Sequence, residues 1–129
     1  MITTKTLKKA LIIVDVQPVF ITRRNEYVVG SIVAFLRREQ YDLYVESIFH
    51  AEHGSIWDKQ TGWICPKGKN FHTDKRILQA LEGKRAVHVE KETKSVFKGN
   101  KDLAKLFKKS FLYYSLVVLR AIQNLFSNR

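Results

Sequence analysis

The stretch ALIIVDVQPVF, residues 10–20, constrains the fold of this chain more than any other. Leu11 to Val14 are four consecutive apolar residues, bounded by lysines on one side and by Gln17-Pro18 on the other. A run with no polar alternation suits a strand covered on both faces, as at the centre of a parallel sheet. Residues 9–15 are therefore expected to form such a strand. It ends on a carboxylate, Asp15, and a charge there calls for a partner.

The rest of the sequence supplies helices to cover that strand. EYVVGSIVAFLRRE, residues 26–39, places Val28, Val29, Ile32, Val33, Phe35 and Leu36 at helical spacing, with Arg37 and Arg38 at its end. YDLYVESIF, residues 41–49, is aromatic and β-branched and reads as a second strand. Residues 50–72 carry Gly54, Gly62, Pro66 and Gly68 without a clear period, which predicts a long loop. DKRILQALEG, 74–83, reads as a short helix with Asp74 near its start and Gly83 past its end. AVHVE, 86–90, is a third strand, and NKDLAKLFKK, 100–109, a third helix capped by Asn100. Strands alternating with helices predict an α/β fold: a parallel sheet with helices on both faces, in three layers.

At 129 residues the chain is expected to be a single domain spanning 1–129. Its apolar content of 45% and aromatic content of 12% fit a globular protein rather than a disordered one. A single cysteine excludes an internal disulfide framework and agrees with a reducing compartment. Asp15 interrupts the only apolar run near the N-terminus, so no signal peptide is read there, and the expected location is cytoplasmic. The net charge is +11; from Lys84 onward eleven Lys or Arg stand against three acidic residues. Such a field attracts nucleic acid or an acidic partner. No nucleic-acid-binding motif accompanies it.

In parallel sheets ligands bind beyond the carboxyl ends of the strands. Asp15 ends the first strand and Lys91 lies just past the third, so both charges are placed to face one crevice. A carboxylate beside an ammonium there can accept a proton while the ammonium stabilises an anion.

Three local motifs sharpen this. Residues 13–20, IVDVQPVF, resemble the first-strand motif of the isochorismatase-like family, the cysteine hydrolases that include nicotinamidases. Residues 89–97, VEKETKSVF, look like the family's second motif, in which a lysine ends a strand and Ser, a small residue and Phe follow. Residues 50–57, HAEHGSIW, leading to Gly62-Trp63, look like a loop of one branch of the family. The resemblance covers about 8–109, in order. It implies hydrolysis of a small-molecule amide or related bond by an Asp-Lys-Cys site, with Asp15 as general base and Lys91 as anion stabiliser. It also implies a pocket containing Gln17, Phe20 and Ser95 and a small-molecule substrate.

The departure from the pattern is equally informative. The family's cysteine follows a fourth strand, at a helix start that lowers its pKa. If Leu112–Leu119 is that strand, the next residues are Arg120-Ala121-Ile122-Gln123, with no glycine-led turn and no thiol. The resemblance breaks near Ser110, and the tail 110–129 reads as divergent, as a truncated or frameshifted gene would give. The expectation is a catalytically inactive hydrolase domain, with a basic binding module for nucleic acid or an acidic partner as the alternative.

Cys65, the only thiol, lies in the loop after the second strand, on the wrong side of the lysine motif, and reads as a bystander. His50, Glu52, His53 and His72 offer no Asp-x-His pattern, so no metal and no cofactor is expected. The tail from Phe111 to Phe126 is broken by Ser115, Arg120, Gln123 and Asn124 and predicts no membrane span. Without the later strands, the first strand is expected to keep an open edge or an uncovered face, which favours self-association.

Overall fold

The computed structural model describes residues 8–68, 70–92, 103, 105 and 114–120. The apolar run becomes strand β1, Lys8–Val14, with Ala10 to Val14 each at most 2% exposed. It is buried because it is a central strand. β1 pairs in parallel with β2, Leu43–Phe49, on one side and with β4, Tyr114–Arg120, on the other. Strand β3, Ala86–Lys91, pairs in parallel with the far side of β2, so the order is β3-β2-β1-β4.

Successive side chains of β1 enter two different cores, as the period of a strand requires. Ala10, Ile12 and Val14 pack with Leu43, Val45, Val89 and Leu103. Leu11 and Ile13 face the other way, onto Val29, Ile32 and Leu36 of helix α1, Glu26–Arg38, and onto Ile77 and Leu81. Those three α1 residues lie at i, i+3 and i+7, one stripe of the helix. Glu26 in the first turn and Arg37 and Arg38 in the last oppose the helix dipole with the stabilising sign. Each fully buried leucine or isoleucine stabilises by about 1.5–3 kcal/mol, so Leu11→Ala, facing both α1 and Ile77, removes a keystone of this layer.

Helix α3, Lys75–Ala80, contacts α1 on the same face of the sheet. That placement follows from handedness. The path β1 to β2 to β3 advances in one direction, and right-handed crossovers keep both helices on one side. The return from β3 to β4 runs the opposite way, and Leu103 accordingly packs on the opposite face. The direction reverses between β1 and β4, so the carboxyl end of β1 is the topological switch point, where open α/β sheets bind ligands.

Several sequence expectations change in detail. Asp15 falls outside β1, and Lys91 is the last residue of β3 rather than the residue after it. The loop at 50–72 contains helix α2, Ile56–Thr61, and an antiparallel bridge between Ala51 and Cys65. Six residues are too few to show a hydrophobic period, and the helix is defined by its caps instead. Ser55 accepts from the Asp58 N–H, and Gly62 closes the helix in the left-handed region at φ 70°. The short helix at 74–83 is regular only to Ala80. In the expected helix 100–109, Leu103 and Lys105 are helical, while the Asn100 cap lies outside the described residues. The fourth strand is present, shifted to Tyr114–Arg120, and β1 is therefore paired on both sides rather than left with an open edge.

Candidate active site

Asp15 is the first residue after β1, and its backbone is in the left-handed region, φ 57°, the single non-glycine residue there among those described. The turn is held from β2, because the Asp15 N–H donates to the Ser47 carbonyl at 3.0 Å. A non-glycine residue in this conformation costs on the order of 1 kcal/mol, a cost that recurs where a side chain must be aimed.

The carboxylate points across the sheet. Lys91 Nζ lies 2.8 Å from Asp15 Oδ2, and the two side chains are 1% and 9% exposed. Ser47 Oγ donates to the other oxygen, Oδ1, at 3.3 Å. The Lys91 ammonium also sits 5.2 Å from the centre of the Phe49 ring, within cation–π range. The end of β3 is fastened to the chain after β2 by the His50 N–H, which donates to the Lys91 carbonyl at 3.0 Å. Residues 76 apart in sequence thus form one desolvated ion pair at the switch point.

Gln17 follows, and its surroundings differ from those of a ligand-facing residue. It is fully buried, with Nε2 donating to the carbonyls of Phe49 at 3.0 Å and Phe71 at 2.6 Å, while Oε1 accepts from the Phe49 N–H at 2.7 Å. The amide bolts the end of β2 and the 71–74 segment to the chain after β1. The Asp74 N–H adds a second bolt by donating to the Val16 carbonyl at 2.8 Å. Phe20 is 3% exposed and packs in a cluster with Phe49, Ala51 and Cys65, flanked by Trp57 and Trp63. Trp63 stacks on Phe49 at 5.9 Å and meets Phe20 at the same distance. Ser95, the third expected pocket residue, lies outside the described residues.

Cys65 is brought close to this region by its bridge with Ala51, in which both backbone N–H groups donate across. Its surroundings oppose a thiolate. Burial pushes the thiol pKa up, and the nearby carboxylates of Glu52 and Asp15 push it further in the same direction. A protonated thiol is a poor nucleophile.

The histidines are scattered. His50 is buried, with its Nδ1 3.7 Å from Glu52 Oε1 and 3.6 Å from Glu92 Oε1, too far for hydrogen bonds. His53 is exposed, and His72 Nδ1 is engaged by the Thr73 carbonyl at 2.8 Å. Among the described residues no three His, Cys, Asp or Glu side chains are grouped to hold a metal ion. Nor is any helix among them long and apolar enough to cross a membrane.

Asp15 and Lys91 were legible from the sequence; Ser47 was not. Its one signal was the polar pair Glu46-Ser47 inside an otherwise apolar strand, all seven residues of which are buried. Buried polar residues find polar partners. Glu46 meets Thr73 Oγ1 and His88 Nδ1, and Ser47 meets Asp15.

No protein-family model matches the sequence, and no curated protein matches it. Solved structures do match. The chain is similar to an N-carbamoylsarcosine amidase from Thermoplasma acidophilum, with a TM-score of 0.62 and 18% identity, over 86% of this chain and 67% of that one. It is similar also to an isochorismatase-like hydrolase from Alkaliphilus metalliredigens, with a TM-score of 0.62 and 16% identity, over 84% of this chain and 65% of that one. The chain spans about two thirds of the length of each. At these identities the likeness is one of fold, and the fold is isochorismatase-like.

Proposed function

We propose that this isochorismatase-like hydrolase domain holds the acid–base and anion-stabilising part of a hydrolytic site for a small-molecule amide or related bond, and that the chain by itself does not complete the reaction. The observation that carries the reading is the 2.8 Å contact between Lys91 and Asp15, desolvated at the switch point of the sheet. Asp15 is the group to take a proton from an attacking nucleophile, and the Lys91 ammonium is the group to stabilise the resulting oxyanion. The nucleophile is what the chain lacks. Arg120, at the end of β4, is in register with Val14, so β4 ends level with the residue just before Asp15. The residues that follow in sequence are Ala121, Ile122 and Gln123, none of them a thiol. Cys65, the sole thiol, is surrounded by groups that keep it protonated.

The test uses the whole purified chain with nicotinamide and N-carbamoyl amino acids as probes. Saturable binding without turnover is expected, with binding weakened by Asp15→Asn. Turnover at enzymatic rates that survives Asp15→Ala would remove the role of the carboxylate. Turnover abolished by Cys65→Ser would show that the thiol reacts after all.

A further inference from the structure

We propose that Ser47 is the positioning residue of the Asp15–Lys91 pair, holding the carboxylate from strand β2. This deepens the function proposed above and rests on it. β1 and β3 are not neighbours, because β2 lies between them. Lys91 must therefore reach over β2 to meet Asp15.

Lys91 is in register with Phe49 of β2, near whose ring its ammonium sits, and Ser47, two residues earlier, is in register with Val14 on one side and Val89 on the other. Val14, Val45 and Val89 share one core cluster, so Ser47, two residues beyond Val45, and Lys91, two beyond Val89, project on the same face.

Ser47 grips Asp15 twice, accepting its backbone N–H at 3.0 Å and donating Oγ–H to Oδ1 at 3.3 Å. The first contact holds the left-handed turn, and the second orients the carboxylate so that Oδ2 meets Lys91. A hydroxyl donating to a carboxylate favours its ionised form, the form that accepts a proton. Ser47 itself is 1% exposed and donates toward Asp15, so it acts through that residue rather than on a substrate.

The test follows the carbon-13 signal of the Asp15 carboxyl through a pH titration of the whole chain, without ligand. Ser47→Ala keeps the small size and removes the donor; it is expected to raise the midpoint by about one pH unit, the worth of one hydrogen bond to a charged group. Ser47→Thr restores the hydroxyl and should return the midpoint to that of the parent. Ser47→Cys, a near-isostere with a weak donor, should fall between, and it serves if the alanine variant does not fold. A midpoint unmoved in the alanine and cysteine variants, or a threonine variant displaced as far as alanine, overturns the proposal. Because no ligand is present, this outcome is separable from the functional one. If Asp15→Asn leaves amide binding unchanged, the functional reading fails while the titration stands.

Discussion

Two buried groups sit near each other at the carboxyl end of the sheet, and their surroundings differ. Lys91 and Asp15 come from the ends of β3 and β1, each supported by a strand, and each offers the other an opposite charge at 2.8 Å. Cys65 comes from the loop that carries α2, and burial together with the carboxylates of Glu52 and Asp15 holds it in its neutral form. Both regions are dry. What separates them is the sign of the neighbouring charge, because desolvation disfavours any ion and only a partner of opposite sign restores it. The same Asp15 that pairs with the lysine works against the thiol.

The largest expected effect comes from breaking the pair. Lys91→Met leaves the Asp15 carboxylate buried without its cation and should cost about 3–5 kcal/mol in urea unfolding, with part recovered by Asp15→Asn in the same chain. A loss no greater than that of Cys65→Ala would mean that the opposite charge does not distinguish the two regions. Gln17→Leu comes next, at about 2–4 kcal/mol, since the Phe49 N–H and the Phe49 and Phe71 carbonyls lose its amide together. Hydrogen exchange should speed up at the Phe49 amide in this variant while Leu11 and Ile13 stay protected.

Asp74→Ala is expected to cost about 1 kcal/mol, the value of an N-cap, because Asp74 accepts from the Arg76 N–H at the start of α3. The guanidinium of Arg76, bound through two further hydrogen bonds, holds the Asp74 carboxyl below the usual aspartate range. A lowered folded-state pKa stabilises above the unfolded value, and that gain is lost as pH falls through the folded one. The gap between parent and Asp74→Ala, followed by thermal unfolding, should therefore close as the solution is acidified.

The smallest effect concerns Cys65. With its pKa raised, the thiol should react with iodoacetamide more slowly in the folded chain than in urea at neutral pH, and Cys65→Ser should leave amide binding unchanged. Any stability linked to this raised pKa is present below the unfolded thiol's pKa and fades as pH rises through the folded one. Fast alkylation at neutral pH would erase the contrast between the two regions.

The α/β class, three of the strands and the two charges were legible because each rests on a local pattern. Leu11 to Val14 could be read as doubly covered, since a strand buried on both faces has no polar period. Asp15 and Lys91 could be read as ending parallel strands, and parallel strands bring their carboxyl ends to one edge. Helix α2 escaped because its evidence lies in Ser55, Asp58 and Gly62 rather than in a periodic face. Gln17 was expected in the pocket from its motif alone, and the motif did not reveal that its amide completes the backbone hydrogen bonding of Phe49 and Phe71, partners 32 and 54 residues away.

By itself, then, the sequence determined that a central strand would end in a carboxylate and that a lysine would end another, because burial and strand period act within a few residues. It also determined that no cysteine stands among residues 121–129. Only the tertiary structure decided that β2 lies between those two strands, that Ser47 of β2 meets the carboxylate of Asp15, and that β4 closes the far side of β1. Those are consequences of strand order and register, which hydrogen bonds between distant segments set and no local pattern encodes.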